Sequence, residues 1–471
     1  MKKAPIKVMN LFTLMMVASA FGISIRNLPL IATTGMQMFF FATIAIIFFY
    51  IPIALVSAEL ATAFPKMGGI AVWVTEAFGK KWGFVAIFLQ WSYMNIGVIS
   101  MLFFISGTIA STISENLANQ KLFLLCSNLI IIWLFTYLNS KGLKVSTKIS
   151  MFFFIIGIFF PAILLITISF TKFFLQGSNI LDISFTFKNL LPDFNNLSTL
   201  IILIGFMRAF GGIEASAVHA NSVKKPKKNY PIAILFVVFL CFSINVFGGF
   251  SIALIEKKEN INLVAGIINI FRYFLSQNNL LYLLPIIGTI VAIGQIGGFS
   301  TWLMGPIKGI LEIAQEGELP KFFQKVNKKN APINLMIIQA FIISITSSLF
   351  LLLGANINIA FWIALVVAMM VYFSMYFLMF LSAIRLRYTR KDVKRSFKIP
   401  FKNIGMWIVC ILGMTSVTIG FLMAVFPPSQ LEVTNYIKFL LTILIFVLVI
   451  FAIPFIIHKL KKPSWNPNYK K

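Results

Sequence analysis

The sequence predicts an all-α integral membrane protein with twelve transmembrane helices, the first and sixth of them broken, in a 5+5 inverted repeat with two additional helices. Composition, the spacing of apolar runs and two glycine interruptions support this prediction. Of the 471 residues, 59% are hydrophobic and 11% are charged. An average soluble protein has about 45–50% apolar and about 25% charged residues. The composition therefore excludes soluble globular, disordered and fibrous classes.

Twelve apolar stretches have the length of about 20 residues that a membrane-spanning helix needs. We call them spans 1 to 12, and they lie at 8–33, 37–62, 82–111, 121–139, 147–171, 197–219, 231–256, 280–311, 333–353, 357–386, 404–426 and 434–458. The loops between them are too short to hold a soluble domain. We expect a single transporter domain over 1–471, with repeats at 8–171 and 197–386, spans 11 and 12 at 404–458, and a short cytoplasmic tail at 459–471.

Cysteine and histidine are scarce and scattered. The three cysteines, Cys126, Cys241 and Cys410, lie far apart in apolar stretches, and the two histidines are His219 and His458. This distribution predicts no disulfide framework, no metal cluster and no haem site. We therefore expect no cofactor.

The net charge of +27 comes from short basic clusters between the spans and at both chain ends. Such clustering is typical of cytoplasmic loops and argues against a nucleic-acid partner. With the N-terminus inside, 31 of the 40 Lys and Arg residues fall in cytoplasmic segments, 7 fall outside, and Arg26 and Arg208 lie within spans. The sequence thus predicts a multi-pass inner-membrane protein with both termini cytoplasmic, and no cleavable signal peptide because the first apolar run has no cleavage site.

Charged residues inside spans are rare and usually face a cavity or a partner, and four of them stand out. Glu59, near the cytoplasmic end of span 2, suits a structural gate or a loop anchor better than a place on the substrate path. Arg26 of span 1 and Glu214 of span 6 either pair with each other or contact substrate. Arg208 precedes a glycine pair and has a gating, structural or vestibule-lining role.

Glycines interrupt spans 1 and 6 at Gly22 and at Gly211-Gly212. Glycine lets the backbone leave helical geometry, and lipid cannot satisfy the exposed amides and carbonyls, so such breaks line a cavity or are covered by protein. Either break alone also fits close helix packing. Together they occupy matching positions, five helices apart, which is the arrangement of an inverted-repeat transporter with its binding site at the breaks.

The breaks suggest the substrate. The helix N-terminus after Gly22, with Ile23 and Ser24, offers free N–H groups for a carboxylate. The break at Gly211, Gly212 and Ile213 offers carbonyls for an ammonium group. Because an α-amino acid carries both groups, we expect an amino acid as substrate.

Several sequence stretches look familiar. The first group is the glycine-containing first helix, the run 58–65 followed by Gly68-Gly69, and the run 211–215, and three more specific stretches follow. They are 24–30 (SIRNLPL), 214–219 (EASAVH) leading to Tyr230-Pro231, and 302–306 (WLMGP). With these residues the chain resembles the amino acid–polyamine–organocation superfamily over nearly its whole length. The finer stretches resemble its bacterial glutamate/γ-aminobutyrate antiporter branch.

The resemblance implies a LeuT-type fold and sodium-independent exchange of external glutamate for internal γ-aminobutyrate in acid resistance. By matching position it places Trp302, Tyr372 and Tyr376 along the substrate path. The tyrosines are four residues apart and share one helix face, although ordinary core packing is equally compatible with them. Trp302 has glycines around it that leave space. The substrate-binding set is Gly22, Ile23, Ser24, Arg26, Gly211, Gly212, Ile213, Glu214, Trp302, Tyr372 and Tyr376, with Glu59 and Arg208 as gating or structural residues.

The sequence departs from that branch in two places: 297–301 lacks the expected acidic residue, and the tail that would block the path at neutral pH is short. Acid dependence would then come from protonation of glutamate, unless Arg26 or Arg208 admits the anion. A transporter of a neutral or basic amino acid is the main alternative, and a membrane-embedded enzyme or a channel is remote. The expected partners are small amino acids and the lipid bilayer. The sequence assigns no oligomeric state, and a monomer is compatible with it.

Overall fold

A computed structural model describes residues 10–64, 69–141, 147–177, 186–195, 200–214, 223–354, 356–427, 433 and 435–466 of the chain. Every secondary-structure element in these residues is a helix. Ten of the helices are long and apolar enough to cross a membrane. They correspond to ten of the twelve predicted spans and make the chain a multi-pass membrane protein.

The helices of the first half are α1 (Leu11–Gly22), α2 (Leu28–Ala32), α3 (Met38–Ala45), α4 (Ile51–Ala63), α5 (Ile70–Phe78), α6 (Lys80–Ile113), α7 (Glu115–Ala118), α8 (Lys121–Ser140), α9 (Thr147–Phe154) and α10 (Phe160–Gln176). Those of the second half are α11 (Phe187–Leu190), α12 (Leu203–Ala209), α13 (Pro226–Ala253), α14 (Gly266–Gln277), α15 (Leu284–Ile313), α16 (Ile333–Leu353), α17 (Ile357–Thr389), α18 (Lys402–Met423) and α19 (Tyr436–Lys459).

Spans 6 and 8 are the two that lie outside the ten. The described part of span 6 is α12 and the residues around it, because 196–199 and 215–222 lie outside the described residues. Span 8 is α15, a continuous helix of 30 residues, which at 1.5 Å per residue extends about 45 Å. Ten of the twelve predicted spans thus have a described helix long and apolar enough to cross a membrane, and the twelve-helix arrangement stays a prediction.

Two helices form the centre of the bundle. The most apolar windows of α6 and α17 are each 83% buried within the protein, whereas those of α18 and α19 are 33% and 22% buried. Helix α6 packs against α15 and α17, and α17 also packs against α5 and α18. The last two helices therefore present much of their apolar surface to lipid, while α6 and α17 carry side chains that face the interior.

Span 1 is broken where the sequence predicts. Helix α1 ends at Gly22, and Ile23 and Ser24 have extended backbone with φ of −111° and −147°. The chain re-enters helical geometry in a single 3-10 turn, Ile25–Asn27, and continues as α2. The amides that begin a helix have no partner within that helix, so this short helical start directs N–H groups into the protein interior.

Span 6 is interrupted at its glycine pair. Helix α12 ends at Ala209. Gly212 has a φ of +111°, a backbone conformation that residues other than glycine rarely adopt. The two breaks are neighbours in space, because the thiol of Cys241 in α13 lies 3.9 Å from the Gly22 carbonyl oxygen and 3.6 Å from the Ala209 carbonyl oxygen. The broken ends of α1 and α12 therefore meet against one side chain of α13.

Candidate functional site

Glu214 is the centre of the interior site. It is 4% exposed, directly after the break in span 6. The hydroxyls of Tyr372 and Tyr376 on α17 both donate to its carboxylate, with Tyr376 Oη 2.6 Å from Glu214 Oε2. The backbone at Gly212 and Glu214 adds further hydrogen bonds to the carboxylate. A buried carboxylate held by several donors remains a fixed acceptor for a cationic group.

An aromatic cluster extends from these tyrosines. The rings of Tyr93 on α6 and Tyr372 are stacked with centroids 3.6 Å apart and planes 3° apart. The Tyr372 and Tyr376 rings are 4.2 Å apart, and Trp302 of α15 meets Tyr93 edge to face at 6.4 Å. Helices α6, α15 and α17 thus supply one continuous aromatic cluster next to Glu214. Aromatic faces attract ammonium groups, so this surface suits the cationic end of an amino acid.

Arg208 contacts the aromatic cluster at Tyr93. Its Nη1 donates to the Tyr93 hydroxyl at 2.9 Å, and its guanidinium carbon lies 5.4 Å from the centre of the Tyr93 ring. A Cβ on Gly97 would come within 3.2 Å of the guanidinium, so that glycine makes room for the arginine. The side chain is 7% exposed. The sequence left open the role of Arg208, and in the structure it lies against Tyr93, whose ring stacks on Tyr372.

Arg26 lies in the 3-10 turn that follows the break in span 1. It is 5% exposed, and its Nη1 has no hydrogen-bond partner among the described residues. Its strongest electrostatic neighbour is the like charge of Arg208. In the structure Arg26 makes no ion pair with Glu214, whose carboxylate is bound by the tyrosines instead. The structure therefore does not show the pairing alternative considered from the sequence, and substrate contact stays a prediction for both residues.

The other residues at the break in span 1 contact α13 and α15. The Ser24 hydroxyl donates to Gln295 Oε1 of α15 at 3.0 Å, and Gln295 Nε2 is buried without a partner among the described residues. Directly beside Gln295, Gly294 packs on Gly157, and a Cβ at either glycine would clash with the backbone of the other. This close approach brings α15 against the π-helical turn Ile155–Phe159, so Gln295 reaches the break.

Glu59 lies at the far end of α4 and is separate from this site. It is 1% exposed and pairs with Arg387 and, at 3.2 Å, with Arg395. The Ile399 amide donates to its second oxygen at 2.8 Å. Its carboxylate therefore links α4, the end of α17 and the loop before α18. This geometry suits a loop anchor, which is one of the two structural roles, gate or anchor, expected from the sequence.

Sequence reasoning missed Tyr93, Cys241 and Gln295. Each is a polar side chain within an apolar span, and Tyr93 lies in the run Trp91-Ser92-Tyr93-Met94-Asn95, which is the one polar-aromatic stretch in the middle of span 3. That run was a signal, because polar groups in a span usually face a cavity or a partner. His219 and the rest of 215–222 lie outside the described residues, and no group of His, Cys, Asp and Glu within the described part could hold a metal ion.

Comparisons with known proteins identify the family of the chain. The model of the amino acid permease family matches residues 9–458. An uncharacterized transporter of Legionella pneumophila is 34% identical over 433 residues, covering 92% of this chain and 92% of that protein. Two glutamate/γ-aminobutyrate antiporters of Lactococcus lactis, from subspecies lactis and cremoris, are 30% and 31% identical over 458 residues, covering 96% of this chain and 91% of each relative.

A multi-pass helical bundle with two broken helices and a buried polar site defines the class as a membrane transporter. The chain belongs to the amino acid permease family, within the amino acid–polyamine–organocation superfamily. The resemblance to the glutamate/γ-aminobutyrate antiporter branch is confirmed. At the family level the relatives are transporters and antiporters, not enzymes.

Proposed function

We propose that the protein is an inner-membrane amino acid antiporter that exchanges external glutamate for internal γ-aminobutyrate by alternating access, in support of acid resistance. The observation that supports it most is the Glu214 carboxylate, which is fixed by Tyr372 and Tyr376 beside the broken end of span 6. The similarity to two relatives named as glutamate/γ-aminobutyrate antiporters favours this substrate pair.

Both substrates fit the two ends of the site. Each has an ammonium group for Glu214, the carbonyls of the span 6 break and the aromatic surface around Tyr93. Each also has a carboxylate for the amides that follow Gly22, where Arg26 adds a positive charge. The binding set predicted from the sequence is retained in this proposal, with Tyr93 added.

The same proposal includes the finer architecture. Twelve transmembrane helices form a LeuT-type 5+5 inverted repeat with two further helices, in a single transporter domain with both termini cytoplasmic. The Glu59 anchor holds the cytoplasmic end, and its release from Arg387 and Arg395 accompanies inward opening. An internal two-fold repeat with a central site favours alternating access over a continuous pore.

Counterflow into proteoliposomes tests the proposal. We expect labelled glutamate to enter vesicles loaded with γ-aminobutyrate, without sodium, and to stay out of vesicles loaded with buffer alone. Linear, non-saturating entry into both kinds of vesicle would identify a channel. A competition series with glutamate, glutamine, γ-aminobutyrate, arginine and leucine identifies the substrate: if arginine or leucine competes best and glutamate never competes, the chain exchanges another amino acid.

A further inference from the structure

The segment that joins α17 to α18 carries more positive charge than nearby carboxylates balance. Residues 385–402 contain eight Lys and Arg side chains and one acidic residue, Asp392. Of the four arginines, two pair with Glu59, one pairs with Glu76 and one lies over the Phe78 ring. The other four basic residues are exposed lysines that make no ion pair within the described part of the chain: Lys391, Lys394, Lys398 and Lys402. The segment therefore presents four positive charges to its surroundings.

Phe401 projects from this segment on an unfavourable backbone. It has a φ of +60° and Lys402 has a φ of +55°, in the left-handed region that residues other than glycine rarely adopt. Gly405 permits the turn, because a Cβ there would clash with the Pro400 carbonyl oxygen. The resulting phenyl ring is 83% exposed. A strained backbone that keeps a large apolar side chain in the open indicates a function for that side chain.

The exposed ring lies next to the lipid-facing side of α18, a helix long and apolar enough to cross a membrane. The exposed residues that follow Phe401 are spaced by three or four positions and share one helix face: Ile404, Trp407, Ile408 and Ile411. Trp407 Nε1 donates to the Tyr388 hydroxyl of α17 at 2.9 Å. Because Trp and Tyr concentrate where a membrane meets water, Phe401 lies at the border between acyl chains and headgroups.

An anionic phospholipid matches this combination of groups. Its acyl chain suits Phe401 and the lipid-facing side of α18, and its phosphate suits Lys398 and Lys402, which flank the ring in the sequence. A soluble anion would satisfy the lysines and leave the ring in water. We propose that residues 398–402 bind the headgroup of an anionic phospholipid in the leaflet predicted to be cytoplasmic.

The same residues take part in the Glu59 anchor. The Ile399 amide donates to Glu59 Oε2 at 2.8 Å, and the Lys402 carbonyl accepts from Arg387 at 2.9 Å. A lipid that orders 398–402 therefore stabilises this buried ion pair as well. We expect added phosphatidylglycerol to raise the unfolding temperature of the protein in detergent, and an unchanged temperature would contradict this coupling.

Native mass spectrometry in a neutral detergent measures the binding itself. We expect the wild-type protein to bind dioleoyl phosphatidylglycerol at least about tenfold more tightly than dioleoyl phosphatidylcholine, which has the same acyl chains and no net charge. Equal affinities for the two lipids overturn the proposal. Inorganic phosphate at millimolar concentration should leave the lipid bound, and displacement of the lipid by phosphate would identify a site for a free anion instead.

Two variants test the residues. Lys398→Gln with Lys402→Gln should weaken binding of phosphatidylglycerol at least about tenfold and leave phosphatidylcholine unaffected. The matched control, Lys325→Gln with Lys328→Gln, removes the same charge from exposed lysines before α16. Equal losses in the two double variants would mean that only net charge matters, which overturns the site.

Phe401→Gly separates the ring from the fold. Glycine adopts a φ of +60° without strain, so we expect unchanged thermal stability in detergent together with weaker binding of phosphatidylglycerol. Wild-type affinity for this lipid in Phe401→Gly would overturn the role of the ring. The comparison of the two lipids on the wild-type protein decides the proposal even where a variant does not fold.

Discussion

At the scale of single residues, Glu214 combines burial with an unusually complete set of donors. Two tyrosine hydroxyls and nearby backbone groups donate to it, which offsets part of the cost of burying a carboxylate. A hydrogen bond to a charged group contributes about 1.5–3 kcal/mol. The tyrosine hydroxyls fix the position of the carboxylate, which can then bind a substrate ammonium group. A neutral side chain at position 214 would not need such donors. This is the physical reason to expect a charge requirement at this position.

Glu214→Gln should lower counterflow at least about tenfold, because an amide cannot provide the negative charge that an ammonium group requires. Tyr376→Phe should cause a smaller loss, since it removes one donor and leaves the carboxylate. Initial rates in proteoliposomes, normalised to the reconstituted protein, measure both effects. The control is Glu259→Gln, at an exposed glutamate outside the site. Normal exchange by Glu214→Gln would mean that the carboxylate has a structural role only.

At the scale of elements, the two glycine breaks are not equivalent. Gly212 has a φ of +111°, which strains any other residue whatever the space available. Gly22 has an ordinary helical position, and a Cβ there would meet only the Tyr50 hydroxyl at 3.7 Å. Backbone conformation therefore restricts Gly212, whereas Gly22 has room for a Cβ but faces the Tyr50 hydroxyl.

We accordingly expect Gly22→Ala to retain exchange and Gly212→Ala to lose most of it, while leucine at either position abolishes transport without preventing membrane insertion. Counterflow and the yield of monodisperse protein in detergent separate these effects. Equal, near-normal exchange by Gly22→Leu and Gly212→Leu would show that both glycines serve packing and that the substrate binds elsewhere.

The Glu59 anchor joins three elements at one end of the bundle and has a less buried counterpart nearby. Glu59→Gln leaves the buried charges of Arg387 and Arg395 without their anion, a change that costs about 3–5 kcal/mol in comparable buried networks. The control is Glu76→Gln, since the Glu76–Arg390 pair, at 23% and 39% exposure, should contribute no more than about 1 kcal/mol. Thermal unfolding in detergent should show a clear drop for Glu59→Gln and little change for Glu76→Gln; equal shifts would contradict the assignment of Glu59 as the anchor.

The sequence predicted elements better than partners. Apolar length located the spans, and Gly22 and Gly212 located the breaks, because these signals are local and follow from the chemistry of lipid and backbone. Which side chains meet across helices was not predictable: Glu214 pairs with tyrosines more than 150 positions away in sequence, not with Arg26. Tyr93 was missed for the same reason, since its stacking on Tyr372 depends on how α6 and α17 cross.

At the scale of the whole molecule, the described loops sort into two groups of contacts, one at each end of the bundle. At one end, Asn327 and Lys329 donate to the carbonyls of Ser140 and Lys141 at 2.7 and 2.6 Å, and the Lys461–Glu318 pair, at 2.5 Å, joins the chain after α19 to the end of α15. We call this the basic end, because the clusters predicted to be cytoplasmic lie in these segments.

The opposite end is built from the segments predicted to be external. Asn262 donates to Asn119 at 3.1 Å, Lys121 donates to the Gly354 carbonyl at 2.7 Å, and Arg272 pairs with Glu115 at 3.2 Å. Each loop contacts partners of the same predicted side. These contacts group the loops into the same two ends that the distribution of basic residues predicts. They do not determine which end faces the cytoplasm.

Orientation is therefore the prediction that belongs to the whole molecule, and the charge bias decides it. Of the 40 basic residues, 31 fall in the segments assigned to the cytoplasm and 7 in those assigned to the outside, a bias that places the basic end inside. Truncations fused to a reporter active only outside, and to one fluorescent only inside, should read inside after Lys225 and Arg395 and outside after Asn260. Lys225 and Asn260 flank α13, whose 28 residues extend about 42 Å, so one helix must separate opposite signals. An outside signal after Arg395, or the same signal on both flanks of α13, would overturn this topology.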